Sequence, residues 1–224
     1  MHKPPAQTEL VLSRPHGGKR RGAGRKRTRS PGRVVHRPRP ALAGRYPVHV
    51  TLRVREHVWN LRTRQCFRRI AQAFRVLAAS SERRRFRLVE YSVQGNHLHL
   101  IVEAADAQRL ARGIQALEIR IAKSVNQAMG TRGAVFAERY HAHILRTPAE
   151  VRNALAYVRG NHAVHALRRG ERVSWFPDGC SSVALVDRRL PDEVGPPLVS
   201  AAATWLLTQG WRRAAPLRGG ATAP

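Results

Sequence analysis

Phe86-Arg-Leu-Val-Glu-Tyr-Ser-Val93, then Gln94-Gly-Asn96, then His97-Leu-His-Leu-Ile-Val-Glu103, reads as two strands joined by a glycine-containing connection of hairpin length. Such runs pair as antiparallel neighbours. The second opens on His97 directly after Gly95-Asn96 and continues into the strongly apolar Leu100-Ile101-Val102, the character of a central strand.

Upstream of this hairpin, Val48, Val50, Leu52 and Val54 alternate with His49, Thr51, Arg53 and Arg55, the period-2 pattern of a half-buried strand starting near Pro47. Between that strand and the hairpin, Cys66, Phe67, Ile70, Phe74 and Leu77 have helical spacing, predicting a helix over about 61–79. Downstream, Leu110, Ile114, Leu117, Ile121 and Val125 predict a helix over 107–129, with Gly130 suited to its C-cap. A fourth strand is expected over 141–145. Thr147-Pro148-Ala149-Glu150 supplies an N-cap, a proline at the first helical position and a capping-box Glu, so a further helix should run from Pro148 to about Asn161. The order β-α-β-β-α-β with a trailing helix predicts an α+β, ferredoxin-like (RRM-like) antiparallel sheet with helices on one face.

The 224 residues carry 41 Lys+Arg against 14 Asp+Glu, a net charge of +27, which points to a polyanionic partner, nucleic acid first. Residues 1–46 hold 13 Lys+Arg and one acid, Glu9, with hardly any apolar periodicity, and are expected to form a disordered basic arm. Within it, residues 17–27, with Lys19, Arg20, Arg21, Arg25, Lys26 and Arg27, either act as a sequence-independent electrostatic tail or thread into an A·T-rich minor groove. A folded domain is expected over 47–185, followed by an extension over 186–224 in which Leu198 to Arg213 forms a short amphipathic helix. No run of about 20 apolar residues occurs, so no membrane span is expected. Cys66 and Cys180 form no zinc-like pattern, and no apolar signal core follows the basic N-terminus, so a cytoplasmic, nucleoid-associated location is expected.

Residues i and i+2 of a strand face one side, so His97 and His99 project together, roughly 6–7 Å apart, and two imidazoles so placed can grip one metal ion. His141-Ala-His143 is a second His-x-His, but it follows the charged Glu138-Arg139-Tyr140 rather than opening an apolar strand. Tyr157 and Asn161 are four apart on the last predicted helix and share a face, offering a phenol beside an amide. Arg83, Arg84, Arg85 and Arg87 beside the first hairpin strand could track a DNA backbone.

Three stretches together, Gln94-Gly-Asn-His97-Leu-His99-Leu-Ile-Val, Val135-Phe-Ala-Glu-Arg-Tyr-His141 and Ala156-Tyr157-Val-Arg-Gly-Asn161, resemble the insertion-sequence and REP-associated branches of the single-tyrosine HUH transposases. The likeness covers about 47–185, including Asp178-Gly-Cys-Ser-Ser182. It implies an HUH-nuclease fold, Mg²⁺ or Mn²⁺ held by His97, His99 and Asn161, and Tyr157 as the nucleophile. It also implies nicking and strand transfer of single-stranded, hairpin-forming DNA through a 5′-phosphotyrosine, by a monomer or a homodimer. The sequence departs from the family where His162 follows Asn161 in place of proline, and where Gly95 stands in place of proline before Asn96-His97. The competing expectations are a non-catalytic single-strand-binding protein on the same fold and a hydrolytic metallonuclease drawing on Glu103 or Asp106.

Overall fold

The computed structural model describes residues 41–168, 170, 177–183 and 197–214; the basic arm up to residue 40, with Lys19, Arg20, Arg21, Arg25, Lys26 and Arg27, lies outside the described residues. Four strands, β1 (Val48–Arg53), β2 (Phe86–Val93), β3 (His97–Ala104) and β4 (His141–Ile144), form one sheet in the order β2-β3-β1-β4. Every pairing is antiparallel. With helices α1 (Arg64–Ala79) and α2 (Ala107–Met129) between the strands, this is the ferredoxin-like arrangement. Packing begins ahead of β1, where Leu42 is buried and Ala43 bridges to Asp106.

The strand alternation builds two apolar layers. Val48, Val50 and Leu52 of β1 and Leu98, Leu100 and Val102 of β3 face Ile70 and Phe74 of α1 and Ile114, Leu117 and Ile121 of α2. On the other face Ile101 and Val89 meet Val151, Leu155 and Val158 of the trailing helix α3 (Pro148–Arg168). The expected one-sided packing therefore describes α1 and α2, while α3 takes the opposite face, which carries His97 and His99. A register shift between Leu88 and Glu90 lets β2 change parity: Phe86 and Leu88, then Tyr91 and Val93, all join the α1/α2 layer.

Local signals set most boundaries. Thr63 caps α1 through its side chain, and Asp106 caps α2 at Arg109 N–H, 2.7 Å away. Gly130 ends α2 in the left-handed region at φ 65°, which a side chain would disfavour. Gly113 of α2 is required for another reason: a Cβ there would lie 2.2 Å from the Phe86 ring, so only glycine lets α2 approach β2. At α3, Thr147 Oγ1 accepts from Glu150 N–H, and Glu150 accepts in return from the Arg146 and Thr147 N–H groups, a complete capping box.

Two extents differ from expectation. α3 continues seven residues beyond Asn161 to Arg168, because His162-Ala-Val-His-Ala-Leu-Arg168 holds neither proline nor glycine to stop it. The helix expected between 198 and 213 is cut to α4 (Trp205–Thr208) and a 3₁₀ turn over Gly210–Arg213. Over 198–204 the chain instead meets two strands, Ser200 N–H donating to Leu88 C=O of β2 and the Ala203 and Thr204 N–H groups to Glu103 of β3, and α4 buries Leu206 and Leu207 against α3. No described helix is long and apolar enough to cross a membrane.

Candidate functional site

β3 and α3 bring the four expected site residues to one side of the sheet. His97 and His99 stand side by side with ring centroids 4.7 Å apart. The Tyr157 hydroxyl lies 3.4 Å from His99 Nε2, and the two rings meet edge to face at 5.0 Å. Tyr157 is 47% exposed, so a large substrate can reach this side chain. One turn on, Asn161 is 2% exposed and its Nδ2 has no hydrogen-bond partner. An unpaired buried amide calls for a ligand, and amide O and N exchange places by a simple rotation.

The imidazoles suit metal binding chemically. His97 Nδ1 is 2.8 Å from Asn96 Oδ1, and His99 Nδ1 is 3.3 Å from both Thr51 Oγ1 and His49 Nε2. With Nδ1 occupied in both rings, Nε2 is the ligating nitrogen, and at His99 it is also the one that faces the Tyr157 hydroxyl. Burial first, then the neighbouring His97, His49 and His165, hold His99 at a pKa of about 3; burial, His165 and Arg53 lower that of His97. The neutral imidazole is the form that ligates a cation. Among the described residues no three His, Cys, Asp or Glu side chains converge as a metal cage. The donor set on offer is two imidazoles and an amide.

The sequence reading missed three contributors. His49, opposite Ile101 on β1, completes a triangle of rings, its centroid 5.3 Å from that of His99 and 5.8 Å from that of Tyr157. Its pKa falls to about 4 through burial, His143 and His141. Its position on the polar side of the β1 alternation was the available signal. His165, carried in by the unforeseen extension of α3, reaches 6.1 Å from the His97 ring. Arg159 ties α3 to the sheet through buried Glu90, which also accepts from Ser182 Oγ.

His141 and His143 pair with Thr51 and His49 on the exposed edge strand β4, and His143 is 3.8 Å from Glu150. The arginines expected on DNA lie elsewhere. Arg84 and Arg85 are exposed, while Arg87 is opposite Glu103 on β3 and pairs with it at 3.4 Å. That point is four residues past His99, about 13 Å along the strand. The side chain of Arg83 lies outside the described residues. Glu103 is further occupied by the Ala203 and Thr204 N–H groups, and Asp106 by its helix cap, so neither joins the histidines.

A family model described as "Transposase IS200 like" matches residues 45–161. Comparison with curated proteins finds no match. Among solved structures, a REP-associated tyrosine transposase bound to a REP hairpin is similar over 76% of this chain and 93% of its own, with 19% identity and a TM-score of 0.50. A bacterial tRNA(His) guanylyltransferase-like protein in complex with GTP covers 61% of this chain and 71% of its own, at 12% identity and a TM-score of 0.41.

Proposed function

The chain belongs to the IS200-like transposase family, and from that premise we propose that it nicks and rejoins single-stranded DNA with Tyr157 as the nucleophile. The observation that carries this reading is the Tyr157 hydroxyl 3.4 Å from His99 Nε2, on a half-exposed side chain next to the buried His99 and Asn161. The Tyr157 hydroxyl gives up its proton to solvent as the oxygen attacks phosphorus, the bond from phosphorus to the 3′ oxygen breaks, and that oxygen leaves as a free 3′-OH after taking a proton from solvent. A 5′-phosphotyrosine remains. Because a phenolate is a better leaving group than an alkoxide, the 3′-OH of another strand can reverse the step, which suits strand transfer.

His97, His99 and Asn161 would hold a divalent cation, Mg²⁺ or Mn²⁺, which would supply charge stabilisation at the scissile phosphate. A cation held at His99 Nε2 would take up the lone pair that faces Tyr157, so His99 would serve as a ligand rather than as the base for Tyr157. His49 and Thr51 hold the His99 ring at Nδ1, and Arg159–Glu90 holds the helix bearing the nucleophile. The charge of +27 and the hairpin bound by the similar solved structure support single-stranded, hairpin-forming DNA as the substrate.

The test incubates labelled single-stranded hairpins with the parent protein, Tyr157→Phe and His97→Ala, with Mn²⁺ or with EDTA, and looks for protein-linked DNA after denaturation. We expect an adduct from the parent with Mn²⁺ alone. An adduct persisting in Tyr157→Phe would overturn the nucleophile. Tight binding with no adduct under any condition would favour a non-catalytic binder.

A further inference from the structure

At the end of the sheet away from Tyr157, two half-open clefts lie side by side, of about 330 Å³ and about 340 Å³. Both are lined by Arg84 and Arg87, which therefore stand as a ridge between them. The walls beyond the ridge are largely apolar: Ala104, Ala203 and Trp205 in the first cleft, Ala78, Pro197 and Val199 in the second. Trp205 is 47% exposed.

Among the described residues the arginines here outnumber the acids that meet them: Arg85 faces Glu82 at 3.9 Å and Arg87 pairs with Glu103, while Arg84 and Arg45 add two further positive charges. The first cleft also contains Arg45 and Arg85, and its one acid, Glu103, is buried and already engaged by Arg87 and by two backbone N–H groups. Arg87 is braced further by donating to Arg84 C=O, and Arg45 lies 4.8 Å over the Tyr46 ring. The Arg87 guanidinium, held in this way, loses little entropy on meeting a phosphate, and the fork geometry of an arginine matches its oxygens.

We propose that this ridge and its two clefts form a second single-stranded DNA site, in which a phosphate rests on Arg84 and Arg87 and the flanking bases enter the clefts. A base has apolar faces and a flat shape, which an apolar-walled concavity accepts. A duplex keeps its bases stacked inside and would bridge the two openings without filling them. The site is separate from the nuclease centre: Ile101, fully buried beneath α3 and α4, lies between His99 and Glu103 on the same face of β3. Only the class of ligand rests on the DNA-processing reading; the site does not depend on Tyr157 chemistry.

The test is photo-crosslinking of the full chain to oligothymidylate bearing 5-iodouracil, in EDTA, with crosslinked peptides mapped by mass spectrometry. We expect crosslinks in peptides spanning 197–205, reduced about 10-fold in Arg84→Glu, the loss of roughly one stacked base and its phosphate. Trp205→Phe should retain much of the signal, since an aromatic face remains, and thermal melting of both variants verifies folding. Crosslinks at the Tyr157 peptide without any at 197–205 would overturn this site while leaving the nuclease reading intact. Equal competition by blunt duplex, or no response to Arg84→Glu in a folded variant, would also overturn it. Conversely, crosslinking at 197–205 together with a failed adduct assay would remove the nuclease reading and leave the second site standing.

Discussion

His49 and His99 illustrate how much one buried imidazole asks of its surroundings. Each ordinarily titrates near 6.5, but burial and neighbouring histidines hold them near 4 and near 3. A folded-state pKa below the unfolded one means that the unfolded chain takes up protons first as pH falls. Stability is therefore complete above about pH 6.5 and declines through the window from 6.5 to about 4, by up to ~1.4 kcal/mol per pH unit for each group. The metal-free protein should show its urea midpoint falling across that window, with a shallower fall in His49→Gln. A flat midpoint between pH 6.5 and 4 in the parent would contradict the burial assigned to these rings. Of this cluster, the spacing of His97 and His99 announced a pair, whereas His49 looked like any polar residue of an alternating strand. Nothing local distinguishes it, because its importance comes from strand order: β1 happens to lie beside β3.

At the level of elements, α3 carries most of the argument. Its start was legible because Thr147, Pro148 and Glu150 act on their own backbone within four residues. Its end was not: the reading stopped near Asn161, while without a breaker the helix continues to Arg168 and brings His165 to His97. Gly160 sits within this helix, between Tyr157 and Asn161, and a Cβ there would meet nothing within 4 Å. Packing therefore gives no reason for glycine. Gly160→Ala should stabilise the fold by about 0.5–1 kcal/mol, since alanine lacks the excess backbone entropy of glycine in a helix. Thermal melting would check this, and a lowered melting temperature would show a constraint on Gly160 that the surrounding atoms do not reveal.

For the molecule as a whole, the C-terminal segment closes the structure over the sheet. Ser200 N–H bonds Leu88 C=O of β2, Leu206 and Leu207 enter the α3 layer, and buried Glu103, paired with Arg87 of β2, binds the segment through the Ala203 and Thr204 N–H groups. Removing one partner of such a buried ionic network strands the others. Glu103→Ala should cost about 3 kcal/mol and expose residues 197–214 to protease, measured by urea unfolding and limited proteolysis. An unchanged midpoint would mean that apolar docking by Leu206 and Leu207 suffices alone.

The sequence by itself determined the elements and their order, because alternation, helical spacing and caps act over a few residues and are written locally. It also determined that His97 shares a face with His99, and Tyr157 with Asn161, since strand and helix periodicity dictate that. The tertiary structure decided which face of the sheet α3 occupies and that Tyr157 therefore meets His99. It also drew in His49 and His165, and it turned Glu103 from a candidate ligand into an anchor for the C-terminal segment. Those outcomes depend on contacts between residues fifty to a hundred positions apart, as in His49 with His99 and Glu103 with Ala203. Sheet order and two-sided packing choose such contacts, and no local pattern encodes them.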